Sequence, residues 1–253
     1  MSKLDYSSTW IVMPAYHAER TLIKTIDLIP EELRRNVVIV DDASLDSTFE
    51  IAQKLSCHSY QHVENLGYGG NQKTCYAKAL ENGAEVVIML HPDLQYDPRV
   101  VGVMSTLIQL GNCDIVLGNR IRTRKEALAG GMPLWKYLLN RFSTFVEDLL
   151  LGQTIGDFHS GLRAYSREVL ESVNFESCSN DFAFDQEFLV KAIALNFRIA
   201  DIPVPARYDE NSSSISFARS MKYALGGVSI VAKYLLFKLS RGRWFYLSFK
   251  AKK

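Results

Sequence analysis

The segment from Glu85 to Pro98 constrains this chain most. Val86-Val87-Ile88-Met89-Leu90 is an unbroken apolar run that halts at His91-Pro92-Asp93. A short run rich in Val and Ile and ended by proline predicts a strand buried on both faces of a parallel sheet. Beyond it the chain leaves the core and presents an imidazole, a carboxylate and an amide at His91, Asp93 and Gln95. In open α/β sheets the C-terminal edge of the strands is where ligands bind. Two readings of the segment stay open: Asp93, with His91 and Gln95, holds a divalent metal against a nucleotide diphosphate, or Asp93 caps the next helix.

Similar runs recur. Trp10-Ile11-Val12-Met13 ends at Pro14, Val37-Val38-Ile39-Val40 ends at Asp41-Asp42-Ala43-Ser44, and Asp114 to Arg120 follows a helical segment over 98–110. His58 to Glu64 is less apolar and suits a strand near an edge. Strands alternating with helices predict a parallel sheet with right-handed crossovers. After Arg120 the rhythm changes to a basic, glycine-ending loop over 121–132, a helix over 133–151, a polar constellation over 157–166, a helix over 182–196 and a late strand over 199–204.

The 253 residues suit one large α/β domain with an appendage, divided here as 1–215 and 216–253. With 47% apolar and 23% charged residues and a net charge of +1, the chain has no basic excess that would favour nucleic acid. Its four cysteines, Cys57, Cys75, Cys113 and Cys178, form no C-x-x-C pair, as expected of reduced thiols in a cytoplasmic protein. The N-terminus carries no apolar signal core, and no apolar run reaches the ~18 residues expected of a spanning helix.

Carboxylates gather at the strand ends: Asp41 and Asp42 after one, Asp93 after another. In parallel strands they share one edge. A carboxylate accepts two hydrogen bonds from a ribose diol, and Mg2+ or Mn2+ takes hard oxygen ligands beside phosphates. Tyr16 could lie against a base ring. The competing reading makes Asp41, Asp42 and Ser44 turn and capping residues. The glycine-rich stretch from Gly67 to Lys73 is neither a Walker loop nor a complete dinucleotide fingerprint, because Gln72 stands where the third glycine belongs. It is read as a loop closely approached by backbone, feeding a helix from Asn71.

The segments M-P-A-Y-H-A-E (13–19), V-D-D-A-S-L-D-S-T (40–48), N-L-G-Y-G-G-N (65–71), L-H-P-D-L-Q (90–95), L-G-N-R (117–120) and D-F-H-S-G-L-R-A-Y (157–165) together resemble the family 2 glycosyltransferases. Within that family the chain is most similar to the dolichyl- or polyprenyl-phosphate sugar transferases. The resemblance spans about residues 9–215 and implies a GT-A nucleotide-diphospho-sugar transferase fold, a divalent metal and inversion at the sugar carbon. It implies that Pro14, Ala15, Tyr16, Glu19, Asp41, Asp42 and Ser44 hold the nucleotide. Asp93, Gln95 and His91 would serve the metal. Asp93, Arg120, Arg163 and Glu187 are the implied catalytic set, and Arg122, Arg124, Ser160 and Arg163 the acceptor-phosphate set. Three positions depart from the pattern: His91 replaces the first Asp of the metal motif, Ala18 the first-loop glutamate, and Ser213-Ser214-Ile215 the Ser-Lys-Leu of the mannose enzymes. Imidazole favours Mn2+ over Mg2+.

In the tail, Arg219, Lys222, Gly226, Ser229 and Lys233 form one polar stripe on a helix, opposite Leu225, Val228, Ile230, Val231, Leu235 and Leu236. Arg241, Arg243, Trp244, Phe245, Tyr246, Phe249 and three lysines follow, a mixture suited to a headgroup layer. Packing on the domain or on a second subunit is the alternative. The expectation is therefore a peripheral enzyme at the cytoplasmic membrane face, moving a sugar from a nucleotide diphosphate to a polyprenyl phosphate. The rivals are transfer to a hydroxyl of a glycan or glycolipid, a non-catalytic nucleotide-sugar-binding protein, and a dinucleotide oxidoreductase.

Overall fold

The structure, a computed structural model, describes residues 5–205, 227, 230–236, 238 and 239. Its strands are β1 (Thr9–Ala15), β2 (Val37–Asp41), β3 (His58–Gln61), β4 (Val86–Met89), β5 (Ile115–Asn119), β6 (Arg163–Ser166) and β7 (Ile199–Pro203). Its helices are α1 (Leu22–Leu28), α2 (Thr48–Lys54), α3 (Gly67–Glu81), α4 (Val101–Gln109), α5 (Arg124–Ala129), α6 (Leu134–Leu151), α7 (Arg167–Ser172) and α8 (Phe184–Ala194). The strands form a single sheet in the order β3-β2-β1-β4-β6-β5-β7, with β3 at an edge as its weak apolar character predicts.

Strands β1 and β4 are buried on both faces, and their side chains alternate between two cores. Trp10, Val12, Val87 and Met89 enter one core, while Ile11, Met13, Ala15, Val86, Ile88 and Leu90 enter the other. Parallel pairing of β1 with β2 sets Ala15 beside Asp41, and parallel pairing with β4 sets Val12 beside Met89. The C-terminal ends of β1, β2 and β4 therefore share one edge. Strand order reverses between β1 and β4, which leaves a crevice there.

Three elements differ from the sequence expectation. The polar constellation over 157–166 contains β6, which pairs antiparallel with both β4 and β5 and makes the sheet mixed. Its central position was hidden because it is short and opens on an arginine. The basic segment after Arg120 contains α5, capped by Thr123, whose hydroxyl accepts from the Glu126 amide. Helix α3 begins at Gly67 rather than at Asn71. Its glycines are required by contact: a Cβ on Gly69 would lie 2.3 Å from the Ser179 carbonyl oxygen and one on Gly67, at φ +83°, 2.7 Å from that of Asn180.

The described part of the tail is helical over 230–236, and Ile230, Val231 and Tyr234 are buried in the first core. Ile230 and Val231, expected on a bilayer-facing surface, are thus used by the domain itself, because the core beside Leu151 and Val190 is completed by them. Leu235 also packs there, whereas Leu236 remains exposed. The basic-aromatic end, 241–253, and Ser213-Ser214-Ile215 lie outside the described residues.

Candidate active site

Three loops leave the shared edge and are tied to one another. The Ser44 hydroxyl accepts from the His17 amide at 2.9 Å and donates to Asp41, joining the loop after β1 to the loop after β2. The Thr21 hydroxyl donates to the Pro92 carbonyl, joining the start of α1 to the loop after β4. Each of the three loops contains a non-glycine residue at positive φ: His17 at 53°, Ala43 at 57° and Leu94 at 59°. Such backbone is costly, and it persists where surrounding bonds impose it, typically around ligand sites.

These loops and the start of α3 wall a cleft of about 580 Å³, a size suited to a nucleotide-linked sugar. Pro14, Tyr16, Asp42, Tyr68, His91 and Asp93 are among its lining residues. Tyr16 is half exposed beside His17, with ring centroids 4.2 Å apart, and offers a free aromatic face. One Asp93 oxygen accepts from the Gln95 amide at 3.0 Å, a turn that holds the carboxylate on the cleft wall.

Tyr68 organises the far wall. Its ring stacks on His91 (centroids 5.4 Å) and Phe182 (4.8 Å), and its hydroxyl donates to Asp185 at 2.6 Å. Burial, reinforced by the Asp185 charge, raises the phenol's pKa well above its ordinary value and keeps the proton on oxygen. The same oxygen lies 3.1 Å from His91 Nε2. With its proton donated to Asp185, the phenol oxygen presents a lone pair to Nε2. Gly161 permits this packing, since a Cβ there would meet His91 at 3.1 Å. Tyr68 and Asn71 belong to the glycine-rich motif segment but were assigned no role from the sequence, and Phe182 lies in no motif; Asn71 donates to the Val40 and Ala15 carbonyls and so plugs α3 onto the ends of β1 and β2.

Several expected site residues have other employment. Asp41 is fully buried and accepts from Ser44 and, at 3.0 Å, from Gln61 Nε2, so it braces a loop instead of facing the cleft. Asp42 does line the cleft, but its oxygens accept from His62 Nδ1 (2.7 Å) and the Leu66 and Gly67 amides (2.9 and 3.0 Å). Glu19 accepts from the Ser47 amide at the start of α2. Gln95 is buried below the wall. Glu187 accepts from the Ser179 amide at 2.6 Å and thereby shapes the segment that packs on α3.

The arginines are placed just as differently. Arg163 is 0% exposed and donates to the carbonyls of Ser160, Asp185 and Phe158 at 2.8–2.9 Å. It ties β6 to α8 and to the loop over 157–161, and Ser160 is buried beside it. Both therefore sit beneath the surface where an acceptor phosphate was expected. Arg120 forms a two-pronged pair with buried Asp157, at 2.7 and 3.2 Å, and donates to the His159 carbonyl. Burial pushes the Asp157 carboxyl up, but Arg120 and Asn140 outweigh it and hold the pKa down to about 2. Arg122 pairs with Glu126 at 3.0 Å on the exposed side of α5, and Arg124 is exposed at that helix's first position.

Residues 10–173 match the family described as glycosyl transferase family 2. The chain belongs to glycosyl transferase family 2. This glycosyltransferase is 27% identical over 249 residues to the UDP-N-acetylglucosamine–dolichyl-phosphate N-acetylglucosaminyltransferase of Methanococcus voltae, a match covering 92% of this chain and 96% of that one. It is 26% identical over 206 residues to glycosyltransferase AglD of Haloferax volcanii, covering 77% of this chain and 32% of that one. A crystal structure of glucosyl-3-phosphoglycerate synthase from Mycobacterium tuberculosis, in complex with Mn2+, UDP-glucose and phosphoglyceric acid, shares its fold with a TM-score of 0.64. The identity there is 16%, and the match covers 90% of this chain and 79% of that one. The architecture is the GT-A fold.

A cation delivered by a diphosphate needs only one or two hard protein ligands. Among the described residues no group of three His, Cys, Asp or Glu side chains gathers to hold a metal unaided. The glycosyltransferase's cleft fits the simpler requirement, with the Asp93 carboxylate on its wall and the imidazole of His91 two residues away.

Proposed function

We propose that this glycosyltransferase transfers a sugar, with inversion, from a nucleotide diphosphate to a polyprenyl phosphate at the cytoplasmic membrane face. The observation that carries the reading is the cleft at the β1–β4 crevice, where Asp93 stands on one wall and the Tyr16 ring on another. The acceptor class is supported by the end-to-end similarity to a transferase named for dolichyl phosphate, 96% of which is covered.

The base would lie against Tyr16, and Asp93 with His91 would hold Mn2+ or Mg2+ at the diphosphate. When bound, that cation would neutralise charge on the departing diphosphate. The chain's own residues position the reactants and exclude water. Asp42 would address the ribose only through lone pairs left over from His62, Leu66 and Gly67. A polyprenyl phosphate is already anionic near neutral pH and needs no strong general base. Arg122 and Arg124 remain the proposed sources of positive potential, while Arg120, largely buried in its pair with Asp157, would act by holding the 157–161 loop in place.

Incubating the full chain with UDP-N-acetylglucosamine, other UDP- and GDP-sugars, Mn2+ and a short polyprenyl phosphate tests the proposal. Formation of a prenyl-phosphate sugar of inverted anomeric configuration is the expected outcome. Donor hydrolysis with no transfer to any prenyl phosphate would refute the acceptor assignment.

A further inference from the structure

Helix α6 is turned inside out. Its buried residues are Asn140, Thr144, Glu147 and Leu151, and Asn140 and Glu147 contact Asp157 and Gln186. Its exposed positions are Leu134, Trp135, Leu138, Phe142, Phe145 and Leu149, every one of them large and apolar. At ~100° per residue these six fall within one arc of about 100°. Leu138, Phe142, Phe145 and Leu149 are 57, 66, 64 and 72% exposed. A surface helix normally hides such a stripe, so an uncovered one marks a binding face.

The surroundings of the stripe are cationic. α5 and the turn after it pack at the N-terminal end of α6 through Ala127, Met132 and Tyr137; α5 exposes Arg124, Lys125 and Glu126, and Arg122 pairs with Glu126, which leaves a net positive charge there. The helix over 230–236 adds exposed Lys233 and Leu236, with Lys238 and Leu239 beyond it. Gly227, itself helical, packs on Gln186, the partner of Glu147. No acidic side chain is exposed on α6; Glu147 is buried and Asp148 half-buried. Aromatic and aliphatic side chains rimmed by cations match the interface of an anionic bilayer.

We infer that the outer face of α6, with its basic rim, is the surface by which the protein docks on an anionic lipid bilayer. The docking surface is thus a helix inside the catalytic domain, and not the tail segment whose Ile230 and Val231 are buried. Asn140 on the inner face of α6 holds Asp157, and the loop from Asp157 reaches Gly161 against His91. The inner face of α6 is thereby linked through that loop to the wall of the cleft. The inference deepens the lipid-acceptor reading but stands on the exposed face alone.

The test uses the full chain, its Phe142→Asp/Phe145→Asp double variant and the conservative Phe142→Leu/Phe145→Leu variant. Sedimentation with phosphatidylcholine vesicles containing about 30% phosphatidylglycerol should show the Asp variant bound about tenfold or more weakly, with the Leu variant close to the parent. Because both positions are exposed, circular dichroism and the melting temperature should not change. Transfer to a water-soluble short-chain prenyl phosphate, without vesicles, should be unchanged in the Asp variant. Loss of vesicle binding together with no transfer to any prenyl phosphate would sustain docking and refute the acceptor reading. Equal vesicle binding by parent and Asp variant would overturn docking. So would a parent that ignores vesicles and runs as a dimer which the Asp variant converts to monomer, since the face would then belong to a second copy.

Discussion

The Tyr68 hydroxyl lies 2.6 Å from the Asp185 carboxylate, a bond that spans 117 residues of sequence and closes the wall of the cleft. It commits the phenol proton to Asp185 and turns the phenol oxygen toward His91. Tyr68→Phe keeps the ring stack and leaves one Asp185 oxygen without that donor. A loss of about 1–3 kcal/mol is expected in urea denaturation. An unchanged midpoint would mean that the bond contributes nothing net.

Asp93 is the one expected catalytic residue that lines the cleft. Asp93→Ala should lower kcat by about 100-fold or more while the melting temperature stays near that of the parent. A folded variant with near-normal transfer would remove Asp93 from the metal assignment.

His91 stands where the family pattern has a carboxylate, and its Nε2 is engaged by Tyr68. EDTA should abolish transfer, and Mn2+ should restore it better than Mg2+. His91→Asp replaces a borderline nitrogen by a hard oxygen, so the ratio of Mg2+- to Mn2+-supported rates should rise. An unaltered ratio would show that the imidazole is not a ligand.

Asp157 ties acid stability to the Arg120 pair. Its folded pKa, about 2, lies below the ordinary value of 3.8, so ionised Asp157 favours the folded state. That contribution, about 2 kcal/mol, is whole above pH ~4 and is lost as pH falls through about 2. Urea midpoints of the parent and of Asp157→Asn should therefore converge below pH ~4. Arg120→Ala, which leaves a buried carboxylate unpaired, should destabilise at pH 7 by about 3–5 kcal/mol.

Gly69 is dictated by a neighbour far away in sequence. A methyl group there would collide with the Ser179 carbonyl oxygen and the Phe184 Cβ, both parts of a packed segment. Gly69→Ala should cost about 1–3 kcal/mol and weaken donor binding, because α3 also supplies Tyr68 to the cleft. Thermal denaturation with and without donor measures both effects.

Residue type and periodicity determined β1, β2 and β4 and the edge on which their loops emerge, while the ordered motifs carried the resemblance to the family. Val, Ile and Met cannot be left in water in such runs, and a proline or a pair of aspartates ends each run at the same edge. Tertiary structure decided which polar side chains face the cleft. Asp41, Ser160, Arg163 and Glu187, expected at the site, are also partners of backbone groups inside the fold, because buried carbonyls and amides need them, and Glu19 accepts from an exposed amide. Tyr68 lies in a motif segment, but its role arises only when α3 packs against α8 and the loop after β4. The outward apolar face of α6 was equally illegible: the sequence shows apolar residues on most of its circumference, and only folding reveals that Asn140 and Glu147 are the ones turned inward.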